Sequence, residues 1–197
     1  MSNITQSHLN KARDDKFLLS FNVPTALKKI NDKFTRDNTH VNVDSIQFSV
    51  YGTMVPEIEV PATEIRYGGS TLYQSSHTKN SYPPVTVNFT VDSRFNNYWM
   101  IYSWLNLLHD EKTGLFDAHD LIPAKGLPNS SAHFDEYQTN IIITAFDEYN
   151  KEVISFTYTK AFPTSISDLK FIYREGKEID CSFTFVYSQL YVKLLDI

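Results

Sequence analysis

Residues 85–105 read VTVNFTVDSRFNNYWMIYSWL, and this run decides the fold. Its first part alternates. Val85, Val87, Phe89 and Val91 fall on one side of an extended chain, and Thr86, Asn88, Thr90 and Asp92 on the other, the period of a strand with one buried face. After Asp92 the period changes, and residues 93–110 read as a helix with Asp92 or Ser93 placed to cap it. Asn96, Ser103 and Asn106 make a narrow polar stripe, while Phe95, Tyr98, Trp99, Ile101, Tyr102, Trp104, Leu105 and Leu108 leave the rest apolar. Such a helix must be covered on more than one side, by its own sheet and by a neighbouring subunit.

Strands continue on both sides of this run. Downstream, residues 137–147 and 152–159 read as a hairpin around the turn 148–151, and residues 168–173 and 178–190 as a second one around 174–177. The last strand is closely patterned: Ile179, Cys181, Phe183, Phe185 and Tyr187 share one face, and Glu178, Asp180, Ser182, Thr184 and Ser188 the other, with Val186 the exception. Upstream, residues 17–23 form a short strand, and in 44–51 Ile46, Phe48 and Val50 oppose Gln47 and Ser49. Pro56 and Pro61 restrict residues 54–67 to an edge strand or two short pieces, and the stretch from Gly68-Gly69 to residue 84 reads as a long loop or a protruding hairpin. Residues 24–42 are polar with a weak helical look at 25–34. Residues 110–136 have no sustained period, and so long a connection is commonly functional. The expected organisation is a polar N-terminal arm over residues 1–16 and a single domain over 17–197.

With 197 residues, 42% of them apolar and 21% charged, the chain has ordinary globular composition; 14 Phe and 12 Tyr lean it towards sheet. The formal net charge of -5 supplies no basic excess to displace counterions from phosphates, which disfavours tight nucleic-acid binding. One cysteine, Cys181, permits neither an intrachain disulfide nor a cysteine zinc site. No apolar run approaches membrane-spanning length, so no membrane anchoring is expected.

Catalytic and metal motifs are weak. His109, Asp110, Glu111, Asp117, His119 and Asp120 have the side chains of a cation site but match neither a helix-borne histidine pair nor a calcium-loop pattern, and a solvated acidic loop explains them at least as well. Ser130, Ser131 and His133 lack the local context of a nucleophile. Cys181, on an apolar face, reads as a small core residue. No enzyme, cofactor or metal is expected. What stands out is physical: several strands are apolar on one face and hydroxylic or acidic on the other. A lone copy would leave sheet edges unpaired, and closing sheets from several copies into a barrel would remove them.

The ordered set of VTVNFTVDSRFNNYWMIYSWL, NIIITAFDEYNKEVISFTYTKAFPTSISDLKF and EIDCSFTFVYSQL resembles the tail-tube protein family of contractile bacteriophages, related to the tubes of R-type pyocins and type VI secretion. The resemblance covers residues 17–190. It implies a mainly β, antiparallel, sandwich or barrel-forming fold with one flanking helix and long interface loops. It implies a structural virion protein of homo-hexameric rings stacking into the inner tail tube, through which DNA passes transiently. Its implied partners are the tail sheath, tape-measure, baseplate and terminator proteins, with assembly in the host cytoplasm. Under it, Thr86, Asn88, Thr90, Ser155, Thr157, Ser182 and Thr184 look towards the lumen, and Phe89, Phe156, Phe183 and Phe185 pack under the helix. Phe95, Trp99, Tyr102, Trp104 and Leu108 serve helix and subunit packing. A baseplate tube-initiator of the same fold is the alternative, and a β-barrel binding a small ligand is the alternative from another class. The latter would need an apolar inward face.

Overall fold

The structure is a computed structural model that describes residues 11–24, 27–28, 49–108, 137–174 and 176–195. The expectations for residues 25–34, for Ile46 and Phe48, for the acidic and histidine cluster at 109–120 and for Ser130, Ser131 and His133 lie outside the described residues, in whole or nearly so.

In chain order the elements are β1 (Phe17–Phe21), β2 (Val50–Thr53), β3 (Ala62–Tyr67), β4 (Ser70–Ser75), β5 (Val85–Thr90), α1 (Asn96–Leu108), β6 (Thr139–Phe146), β7 (Glu152–Ile166), β8 (Asp180–Val186) and β9 (Gln189–Leu194). Every strand pair is antiparallel. The first part of β7 lies between β6 and β9, with β1 beyond β6; its last part runs beside β8, followed by β5 and β2. One long strand thus joins two layers. Among the described residues the sheet does not close into a barrel.

The joint is a bulge. Tyr158 is fully buried, and the next buried residues on β7 are Ala161 and Pro163, so simple alternation has slipped by one. Lys160 supplies the extra residue at φ 52, and its N–H is turned towards Asn140 Oδ1 at 3.4 Å. The partner chain breaks at the same height: β8 ends at Val186, β9 begins at Gln189, and Ser188 N–H donates to Thr159 O at 2.9 Å.

This arrangement corrects the second expected hairpin. Residues 168–173 form no strand, because β8 already has β5 on one edge and Phe162–Ile166 of β7 on the other. Pro163 is tolerated inside β7 because this half of the strand has a partner only on the β8 side among the described residues. The expected single strand over 178–190 is instead β8 and β9.

The core forms where the apolar faces of the layers meet under α1. Val85, Val87 and Phe89 of β5 stand opposite Phe185, Phe183 and Cys181 of β8, all buried. Leu19, Phe21, Ile141, Ile143 and Tyr158 contribute from the other layer, and Met100, Ile101, Trp104 and Leu107 close the space from the helix. Trp104 anchors it, stacking on Phe21 at 6.0 Å and donating Nε1–H to Tyr137 O at 2.8 Å.

The helix entry is set by two side chains. Asp92 Oδ1 accepts from the N–H groups of Arg94 and Asn96, both at 2.9 Å. Asn97, fully buried, accepts from Tyr98 N–H and Asp92 N–H and donates to Thr90 O and Ser49 Oγ. Ser103 departs from the expected polar stripe: three residues from Met100 and four from Leu107, it shares their buried face.

Candidate functional site

The hydroxylic face is cleanest on the β5–β8 layer. Thr86 stands opposite Thr184, Asn88 opposite Ser182 and Thr90 opposite Asp180, and the next row brings Ser165 beside Thr184. Thr86 and Thr184 share a hydrogen bond of 3.1 Å between their hydroxyls. All six residues of the β5–β8 rows except Asp180 are half-buried, each on the side opposite the core.

Ser155 and Thr157 sit on the corresponding face of the other layer, where the surroundings are mixed. Ser155 is flanked by Thr144 and Lys193, and Thr157 by Ile142 and Tyr191. Between the two layers Phe162 pairs with Val186 and meets Tyr137 edge-on at 5.5 Å. The seven hydroxyl or amide residues named from sequence therefore share the face away from the core, but only the β5–β8 part is uniformly polar. Lys193 makes the other part less acidic than expected. Val186, the exception in the sequence pattern, marks the apolar seam.

Of the five residues assigned to helix and subunit packing, Trp104 is fully buried in its own core and has no surface for a neighbour. Phe95, Trp99, Tyr102 and Leu108 are half-buried. Phe95, at φ 58, stacks on Phe171 at 6.3 Å.

The sequence reading missed a tyrosine cluster at the corner of the sheet. Tyr158 meets Tyr187 at 4.8 Å, and Tyr187 meets Tyr82 at 5.0 Å. The hydroxyls of Tyr158 and Tyr187 are buried with no hydrogen-bond partner among the described residues. Burial first, then the neighbouring tyrosine, raises both, Tyr187 to about 12 and Tyr158 further. Tyr187 was visible in sequence as a core-facing residue; its packing against Tyr82, more than a hundred residues away, was not.

Free strand edges complete the picture. Among the described residues β1, β2 and β9 each have a strand on one side only. On β9, Tyr191, Val192 and Leu194 are exposed as well. A bare apolar edge of this kind invites pairing with another chain. The described residues contain no group of three or more metal-ligating side chains and no helix long and apolar enough to cross a membrane.

The described residues thus make two antiparallel layers with bare edges, an outer face that is polar over β5 and β8, and a covering helix. A model of the phage tail tube protein family matches residues 12–193, and the chain belongs to that family. It is similar to the baseplate tail-tube junction protein gp54 of Enterobacteria phage T4, 20% identical over 171 residues, or 80% of this chain and 53% of that protein. The chain thus spans about half the length of that relative. Among solved structures it is similar to the sheath-tube complex of an extracellular contractile injection system, PVC, in its extended state. That match has a TM-score of 0.53 and 13% identity and covers 99% of both chains. It is also similar to the tube-terminating cap of the anti-feeding prophage, with a TM-score of 0.55 and 14% identity over 98% of this chain and 100% of that one. These likenesses establish the fold. Family and fold are those of structural tube components, which points away from an enzyme.

Proposed function

We propose that the protein is a subunit of the inner tail tube of a contractile phage, forming homo-hexameric rings that stack around a hollow lumen. The observation that carries this reading is the β5–β8 layer, buried and apolar on one side and uniformly polar on the other, within a sheet whose edges stay open among the described residues. Six copies joined edge to edge would satisfy those edges and turn the rows of Thr86, Asn88, Thr90, Ser182 and Thr184 inward, with Ser155 and Thr157 continuing the wall. Residues 17–197 act as the tube domain and residues 1–16 as an arm. Such a wall holds DNA weakly, since few cations stand along it, and DNA can slide through. Sheath outside, tape-measure protein inside, and baseplate and terminator proteins at the ends are the expected partners. The subunits assemble in the host cytoplasm and reside in the virion.

Electron microscopy of the purified protein tests this: hollow tubes or six-fold rings support it, and a persistent monomer contradicts it. Thr86→Lys and Thr157→Lys test the wall. Tubes should still form while DNA ejection slows, and unchanged ejection would remove these residues from the lumen. A second reading, a tube initiator at the baseplate, is favoured by the similarity to the T4 junction protein. Copy number in purified particles separates the two: a number comparable to the sheath subunit supports the tube, and a single ring supports the initiator.

A further inference from the structure

The edge strand β9 has little of its own to hold it. Leu190 is its one buried residue, and the rest of the strand is exposed. Its strand partner among the described residues is β7, with Tyr158 opposite Leu190 and Thr159 opposite Gln189. A strand anchored through one side chain opens locally with ease unless something covers the anchor.

The cover comes from elsewhere in the chain. Tyr187 lies in the short break between β8 and β9 and meets the fully buried Tyr158 edge-on at 4.8 Å. Tyr82 packs on Tyr187 in turn, at 5.0 Å, and is half-buried against the core. Tyr82 belongs to the stem by which the β3–β4 hairpin rejoins the body. In that stem Ser76 N–H donates to Pro61 O at 2.9 Å, Asn80 Nδ2 donates to Glu59 Oε2 at 3.1 Å, and the Lys79 ammonium donates to the Tyr82 hydroxyl. Pro83 and Pro84 follow and stiffen the backbone between this ring and Val85, where β5 begins.

We propose that Tyr82 is a positioning residue, a clasp that ties the order of the β9 edge to the stem of the hairpin. The hairpin pairs with no strand of the main sheet among the described residues, so its link to the β8–β9 joint runs through side chains. An aromatic pair stabilises beyond the area it buries. Here it acts on two parts that bury little of their own, a hairpin exposed throughout and β9. The inference rests on the tube reading above only in taking β9 as a joining edge. A neighbour's strand can add to β9 only while β9 keeps its extended register on β7.

Amide hydrogen exchange of the full chain, below its assembly concentration, tests the clasp. Tyr82→Ala should speed exchange of the β9 amides and of Ser76 by about tenfold or more, while the β5–β8 ladder around Phe89 and Cys181 stays unchanged. Tyr82→Phe keeps the ring and should keep β9 exchange slow. Unchanged exchange in β9 overturns the proposal. An acceleration shared equally by β5 and β8 also overturns it, because that is what global destabilisation gives. If β9 loosens and Ser76 does not, the tie to the hairpin stem is overturned. The joining role is read separately, on assembled protein. There the β9 amides should be protected beyond their level in the free chain, in the unmodified protein and in Tyr82→Phe alike. Tubes whose β9 exchanges as in the free chain overturn that role. A chain that never assembles overturns the tube reading and the joining role with it, while exchange in the free chain still decides the clasp.

Discussion

Asn97 ties three parts of the chain at one point. Its amide reaches Thr90 O at 2.8 Å and Ser49 Oγ at 3.1 Å, while its carbonyl oxygen accepts from Tyr98 N–H at 2.8 Å. Asn97→Ala should lower unfolding stability by about 2–3 kcal/mol, read from urea titration, because buried backbone groups lose their partner. Helical spacing put Asn96 on the polar stripe and left Asn97 off it, but the partners that bury Asn97 come from distant parts of the chain that only the fold brings together. The tyrosine corner makes the opposite kind of prediction. Tyr158 has a buried hydroxyl without a partner, so Tyr158→Phe should leave stability unchanged or raise it by up to about 1 kcal/mol. The pH dependence follows from the raised tyrosines. Below about pH 10 both folded and unfolded forms keep the proton, and the stability is intact. Between pH 10 and about 12 the unfolded chain loses protons that folded Tyr187 retains, so stability falls as pH rises. Tyr187→Phe should shrink that alkaline loss in denaturation curves measured at increasing pH.

At the scale of elements, the bulge in β7 decides the architecture. Lys160 occupies a left-handed conformation, φ 52, that a glycine adopts without strain. Lys160→Gly should therefore be neutral or raise the melting temperature slightly, by up to about 1 kcal/mol in stability, and Lys160→Val should lower it. This joint also marks where the sequence stopped being legible. β5 and β8 were readable because each has one wet and one dry face, so alternation maps directly onto burial. β7 was cut short at Thr159 because the bulge breaks its period and Pro163 reads as an interruption. Residues 168–173 looked like a strand but had no free edge to join, a fact fixed by β5 and β7 rather than by local sequence. The β3–β4 hairpin had a clear turn signal, with Gly68 at φ 54 and Gly69 at φ 84, but strands exposed on both faces carry no burial pattern to confirm them. The polar face was legible in β5 and β8 and only half so in β7, where its neighbours on the partner strands include Ile142 and Tyr191.

The whole molecule is a sheet left open, with β1, β2 and β9 each bare on one side among the described residues. Soluble proteins usually blunt such edges with charge or a covering element, and β9 instead exposes Tyr191, Val192 and Leu194. Replacing Val192 and Leu194 by lysine should keep the protein folded and monomeric, seen as a single small species in light scattering at concentrations where the unmodified protein assembles. The central claim is that copies join into a hollow polymer with the β5–β8 hydroxyl rows inside. Cryo-electron microscopy of the assembled protein tests it most directly. A six-fold tube with Thr86 and Thr184 facing the hollow is the predicted result; a monomer at all concentrations, or a tube with those threonines on its outer surface, would contradict it.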